Sequence, residues 1–558
     1  MRLSRSSWAL AAVAVLLTDV AVSHAASERP AGASSNPALS VATDRADATY
    51  AQGDPVRFTI TLHSDEQPVD DAEVQWTISK RMFNDPPSTH AVSARAAEAM
   101  RTAIMVHIEE HRPGRTHHVD AVNGDDTRDG LKPETAWRSL AAVNRAALTP
   151  GDRVLFRRGQ TWRGQLVPQS GEASGVVTYG AYGEGPKPVL LGSVAADRPT
   201  DWERVGEHLW ATPPSGSPDD QAASLSLDVG NLIFDHGKST GVKRWSEEDL
   251  LREGDYYYDA RTKQVKLRSD DNPATHSRSI ELALRRHIID QSGRAYVTYE
   301  NLDLRYGAAH GIGGGNTRHI TIRGCDLSFI GGGHQFTRDD GTPVRFGNGI
   351  EFWSDARDCL IEDCRLWEIY DAALTNQGDG TNVQENITYR RNVIWNSEYS
   401  FEYWNRGSGS VTRNIVFEHN TCVDAGYGWG HRQRPDPNGR HLMFYDNAAA
   451  TTNLVVRCNV FCNATDSLLR LSGRDWTAAL AMDHNCWYQS RGPVLLWGRQ
   501  TVSAEEFAAF MHGRGFDQHS LLADPEFLDA AQHDYRLAPD SPARTLGGQD
   551  RPAGALSD

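Results

Sequence analysis

The sequence predicts an all-β protein, most of it wound as a parallel β-helix, and two observations carry this. The first is a repeat. Seven stretches share a run of mostly apolar or alternating residues with Asn or Cys at its sixth position. They are YVTYEN from Tyr296, ITIRGC from Ile320, CLIEDC from Cys359, ITYRRN from Ile387, IVFEHN from Ile415, LVVRCN from Leu454 and LAMDHN from Leu480. The sixth positions, Asn301, Cys325, Cys364, Asn392, Asn420, Asn459 and Asn485, are spaced 24, 39, 28, 28, 39 and 26 residues apart. A period in the twenties with two longer intervals is that of a solenoid carrying two inserted loops. A buried Asn must pair its amide, and a column of identical side chains does so at every coil. The second observation is a further short strand in each repeat: GIEFW from Gly349, AALTN from Ala372, FEYWN from Phe401, GWGHR from Gly428, LLRLS from Leu468 and VLLWG from Val494. Stacked in register, these form one parallel sheet along the solenoid.

Other segments follow in order. Residues 1–25 read as a secretory signal, with Arg2 and Arg5 before the apolar run Trp8–Leu17 and small residues at Ser23 and Ala25. The run is too short to span a bilayer. Residues 26–40 read as a linker. In 41–92 the alternating runs VRFTITL and VQWTI suggest a partial immunoglobulin-like β-sandwich segment. Residues 93–117 read as a helix or linker, 118–530 as the β-helix with an insertion at about 199–285, and 531–558 as a tail.

The net charge of −16 argues against nucleic acid or an anionic membrane as partner. All seven Cys fall within the repeats, an odd number best read as buried reduced thiols. The loop bearing Asp120, Asn123, Asp125, Asp126 and Asp129 offers enough oxygens for Ca²⁺, without the spacing of an EF-hand. A solvated turn with a helix cap is the plainer reading.

From His118, HVDAVNGDDTRDGLKPETAWRSLAAVNRAALTPGDRVLFRRGQTW resembles the opening of secreted right-handed parallel β-helix proteins of the pectin-lyase-like kind. The hairpin YYYDARTKQVKL (Tyr256–Leu267) and the ending ADPEFLDAAQHDYRLAPDSPARTLGG (Ala523–Gly548) resemble theirs too. The resemblance implies a right-handed coil, a helix at 136–147 capping its open end, and a secreted or periplasmic, carbohydrate-active protein. It leaves the chemistry open, because this fold hosts lyases, hydrolases and non-enzymatic adhesins.

GIEFW and FEYWN repeat nearly one phrase, and residues i and i+2 share a strand face. Glu351 with Trp353, and Glu402 with Trp404, are therefore expected to project outward together, since unpartnered core carboxylates would be costly. Two coils separate the acids, about 9–10 Å of backbone, from which the carboxyls can reach the roughly 6.5–9.5 Å of inverting glycosidases. The intervening rung is expected to supply Asn376, with Asp371 beside it, and the next rung His431, Arg432 and Arg434. Long loops are expected at 331–347 and 433–452, walling a cleft.

The reading is a secreted glycoside hydrolase with Glu351, Glu402 and Asp371 as catalytic groups. Trp353, Asn376, Trp404, His431, Arg432 and Arg434 would contact a polysaccharide or oligosaccharide, and the chain is expected to be monomeric. One alternative is a polysaccharide lyase working by β-elimination. All seven Lys lie at or before Lys266, so its base would be Arg406, Arg432, Arg434 or a His. Another is a non-catalytic carbohydrate-binding or surface protein, which needs the Trp residues but no paired acids.

Overall fold

The computed structural model describes residues 114–214, 225–547 and 552–555 with their side chains, and five strands between 38 and 107 as backbone. The expected signal, 1–25, lies outside the described residues. The chain forms two units, Met1–Arg112 and Pro113–Asp558.

In the first unit, Ala38–Thr43, Pro55–His63 and Arg101–His107 form an antiparallel sheet, and Ala72–Ile78 pairs with Ser88–Ala94. The helix or linker expected at 93–117 is thus corrected. RTAIMVH is a strand on Pro55–His63, in keeping with its β-branched and apolar content. The side chains that would identify a sandwich core lie outside the described residues.

The second unit is a parallel β-helix with three long sheets. One ten-stranded sheet runs from Thr116–Val119 to Leu480–Asp483, and another from Thr161–Arg163 to Leu521–Leu522. A nine-stranded sheet begins at Ile289–Asp290, continues through Ile350–Trp353, Ala372–Gly378, Tyr399–Asn405 and Arg440–Phe444, and closes on the antiparallel strand Gln500–Val502. Inward residues stack rung on rung: Tyr299, Ile322, Ile361, Tyr389, Phe417, Val456 and Met482 form one column of the core. Removing such apolar area from water is what drives the coils together.

The Asn column is present with one correction. Val297 pairs with Ile320, so the first position is Leu302, not Asn301. Asn301 instead adopts φ +56°, in the left-handed slot one residue earlier that Arg391, His419, Cys458 and His484 also occupy. Alternation around Tyr296 fits either frame, and only the register decides. Below Cys364 the side chains link in one direction. The Cys364 N–H donates to Asn392 Oδ1 (3.0 Å), the Asn392 N–H to Asn420 (2.9 Å), the Asn420 N–H to Asn459 (2.8 Å) and the Asn459 N–H to Asn485 (3.0 Å). Each Asn amide also donates to a backbone carbonyl or its neighbour, so these polar groups are buried and satisfied. The column ends where Asn485 N–H meets Ser520 Oγ at 2.8 Å and its amide meets Asp517 at 3.3 Å.

A second, outer file escaped the sequence pattern. Asn386 donates to Asp358, Asn414 to Asn386 and Asn453 to Asn414, all at 2.8–2.9 Å. All four sit at φ +51 to +56°, at a position that both paired strands skip without a change of register.

All seven Cys are free and buried. The Asp-rich loop does not converge on an ion. Asp120 accepts from Val122, Asn123, Gln160 and Arg157; Asp126 accepts from Arg138 and Ser139; Asp125 and Asp129 each bind a Thr hydroxyl. Each carboxylate closes a turn or holds the capping helix, which spans Leu140–Arg145 and is shorter than expected. The insertion forms two further antiparallel-rich sheets between Ser193 and Leu284. Among the described residues no helix is long and apolar enough to cross a membrane.

Candidate functional site

The nine-stranded sheet sets the site by register. Ile350, Leu374, Phe401 and Leu442 stack inward, and Glu351, Thr375, Glu402 and Met443 form the neighbouring file on the other face. Two residues on, Trp353, Gln377 and Trp404 align likewise. Glu351 and Trp353 therefore share the outer face with Glu402 and Trp404, two coils apart. The two indole rings meet edge to face at 5.4 Å, both half-buried. Arg406 lies 4.6 Å from the Trp404 ring.

Asn376 does not join them. It points inward, fully buried, and its Oδ1 accepts the Tyr389 hydroxyl at 2.7 Å. The intervening rung presents Thr375 and Gln377 instead. Pairing AALTN against GIEFW from their first residues sets Asn376 beside Trp353; the observed register is one residue further on, Ile350 with Leu374, and a one-residue shift exchanges the two faces.

The next rung is also corrected. GWGHR is not a strand; the sheet continues with Arg440–Phe444, and 426–439 is the long loop. That loop folds back over the preceding rungs. His431 Nδ1 is 2.9 Å from Glu398, and Arg434 Nη1 donates to Asp371 at 3.2 Å and to the Tyr370 carbonyl at 2.9 Å. The Tyr399 hydroxyl donates to Asn438 at 2.5 Å. Arg432, on the same turn, is exposed and binds none of these carboxyls among the described residues. The other expected loop is the hairpin Gly333–Thr337 with Pro343–Phe346. Its Arg345 ties three segments together, donating to the carbonyls of Gly332 (2.6 Å) and Gly230 (2.7 Å) and to Gln433 Oε1 (2.9 Å). At the hairpin's base a Cβ on Gly347 (φ +136°) would lie 2.2 Å from Gly331 Cα, so only glycine closes this loop.

The carboxyls differ sharply. Glu351, 5% exposed, accepts from His310 Nε2 (3.0 Å) and Asn348 Nδ2 (2.8 Å). The His310 Nδ1 takes the Asn348 N–H at 2.9 Å, so the ring proton sits on Nε2 and points at Glu351. Burial opposes the charge on Glu351, but these donors prevail and hold its carboxyl below the usual range. Behind it, burial lowers His287, stacked on His310, to about 4. Glu402, 4% exposed, is pushed up to about 8 by burial and then by the neighbouring Asp371 charge, against the donors Gln377 and Tyr445 and the positive charge of Arg434. Asp371 is itself raised by burial despite Arg434. Its side chain keeps 20% exposure. Tyr445, 36% exposed, is hydrogen-bonded to Glu402 through its hydroxyl.

His310, Asn348, Gln377, Glu398 and Tyr445 were thus missed in the sequence. His310 stands one coil before the rung it serves, so no local pattern links it to Glu351, whereas Asn348 lies only three residues from Glu351 on the same coil.

No family model matches the chain. Among curated proteins it is 30% identical over 138 residues to the uncharacterized protein YwoF of Bacillus subtilis, 24% of this chain and 26% of that one. It is 33% identical over 107 residues to a lacto-N-biosidase of Bifidobacterium longum, 17% of this chain and 7% of that one. The alignments thus span about a quarter or less of these relatives. Among solved structures it is similar to the GH136 lacto-N-biosidase of Eubacterium ramulus, with 15% identity, TM-score 0.34, and 68% and 65% of the two chains covered. It is also similar to a rhamnogalacturonan lyase, with 10% identity, TM-score 0.37, and 67% and 74% covered. These similar structures are of carbohydrate-active proteins, and the likeness falls short of placing the chain in any one family.

Proposed function

We propose that the chain is a carbohydrate-active enzyme that hydrolyses a glycosidic bond, with Glu402 as general acid and Glu351 as the base that activates water. The observation behind this is the pair of carboxyls two rungs apart on one outer face, one pushed up and one held down, beside two Trp rings. A protonated acid and an ionised base are what such hydrolysis requires at neutral pH. Two rungs give about 9–10 Å of backbone, which suits an inverting displacement with water between the carboxyls. Asp371 would serve by its charge, keeping the proton on Glu402. Trp353 and Trp404 would stack on a sugar's apolar face.

The lyase alternative needs a neutral basic side chain. Burial alone would lower Arg434, yet Asp371, Tyr399, Tyr370 and Glu398 hold it protonated, well above the ordinary value. Arg406 pairs with Asp379. The cluster also sets four carboxyls, Glu351, Asp371, Glu398 and Glu402, against the buried guanidinium of Arg434 and the imidazoles of His287, His310 and His431. That balance disfavours a polyuronate and favours a neutral or amino sugar. Incubation with a panel of plant, algal and host-type glycans tests the reading. New reducing ends without unsaturated uronide absorbance are expected; a rise in that absorbance would select the lyase, and no product with measurable sugar binding would select a binding protein.

A further inference from the structure

A second constellation lies on a different sheet, at the far end of the solenoid. The strand Leu480–Asp483 ends in Asp483, and His484 follows at φ +59°. His519 comes from the segment after the terminal helix Ala504–His512. One ring nitrogen from each His and one Asp483 oxygen lie within 4.8 Å of one another, and among the described residues no other such group occurs.

The details go beyond proximity. Asp483 Oδ1 is engaged by two backbone N–H groups, His484 at 2.9 Å and His519 at 2.8 Å. That fixes the carboxylate and leaves Oδ2 to face both imidazoles. His519 Nδ1 lies 2.7 Å from Oδ2 and His484 Nδ1 3.3 Å from the same atom. The two rings stack with centroids 5.0 Å apart. Two Nδ1 atoms converging on one oxygen leave each ring's proton competing for the same acceptor. A cation would replace both protons and use all three donors. The set is exposed enough to exchange ligands, with side-chain exposures of 39%, 68% and 33% for His484, His519 and Asp483.

We infer that Asp483, His484 and His519 bind one divalent transition metal ion, Zn²⁺ being the natural occupant of two imidazoles and a carboxylate. Calcium, which takes oxygen ligands only, does not suit this set. Zinc ligands at about 2.0–2.2 Å need only small side-chain adjustments from these separations. The ion clips the last Asn-bearing coil to the segment that ends the Asn column. Of the two groups that receive Asn485, Ser520 follows His519 directly and Asp517 stands two residues before it. The Asp517 N–H donates to the Met482 carbonyl at 2.7 Å, so this segment already lies on the coil the ion would grip. The site does not depend on any reading of the carboxyl cluster, which stands on another sheet.

The test uses the full chain without an affinity tag, stripped of metal and titrated with Zn²⁺ alone by calorimetry, with thermal unfolding followed in parallel. One equivalent should bind, and the melting temperature should rise with Zn²⁺ by mass action. His519→Ala and His484→Ala should each weaken binding at least about tenfold and abolish the thermal shift. His419→Ala, a control at the equivalent left-handed slot two coils away, should change neither. The inference is overturned if the wild-type chain takes up no stoichiometric Zn²⁺. It is equally overturned if binding survives both variants unchanged, or falls as much in His419→Ala.

Discussion

Two files of side chains run along the same solenoid and obey opposite rules. The inner one, from Cys364 to Asn485, repeats almost one residue, and each member is satisfied by the next. The outer one on the nine-stranded sheet reads Glu351, Thr375, Glu402, Met443, Arg470, with no two neighbours alike. Repetition makes the scaffold, because a polar group buried at every coil needs an identical partner at every coil. The proposed chemistry falls where the repetition fails, on the face that the core does not dictate.

The difference is largest in what a single amide-for-acid change should do. Glu402→Gln or Glu351→Gln should lower turnover by roughly 10²–10⁴-fold, the scale of acid–base catalysis. Neither should lower the melting temperature. Asn420→Ala should do the reverse, costing about 2–5 kcal/mol in denaturant unfolding through orphaned groups and a cavity, with the folded fraction keeping its rate. If Glu402→Gln unfolds the chain, or Asn420→Ala spares stability and removes activity, the division between the two files is wrong.

That division also explains what was legible beforehand. The coils could be read because seven segments repeat, and repetition survives small errors of frame; even Asn301, one residue out, belongs to the right turn. Glu351, Trp353, Glu402 and Trp404 could be read because two rungs repeat one phrase. Asn376 was misplaced because parity on a strand needs register, which AALTN alone does not supply. GWGHR suggests a strand bearing His431 and Arg432 because loop 426–439 begins with the aromatic and glycine content of a rung. His310 and Glu398 act across coils, through contacts that winding creates and sequence distance hides.

A smaller effect should appear with pH. The Glu402 carboxyl rises from 4.5 to about 8 on folding. The folded state therefore holds a proton that the unfolded state releases, and stability should fall as pH climbs between those values. Glu402→Gln should flatten that slope. kcat/KM should drop above about pH 8, where the acid is lost. A stability profile unchanged by the substitution would show that Glu402 ionises normally.

The smallest effect concerns the aromatic edge. Trp404→Ala should raise KM by roughly 3- to 10-fold, equivalent to about 0.5–1.5 kcal/mol of stacking, with kcat little changed. An equal loss in kcat instead would place the ring at the reacting bond.

The Asn column has a direction, and direction gives the molecule unequal ends. Every Oδ1 accepts from the coil before it, so the chain of dipoles starts at Cys364 and terminates on Ser520 and Asp517. Earlier coils, with Leu302, Cys325 and Cys364 in that position, have no such thread. In a near one-dimensional lattice, where each unit holds only its neighbours, such a structure unravels like a zip with one sewn end. Under tension or transient opening, the coils around Leu302 should part first, while those from Asn392 onward hold as one cooperative block.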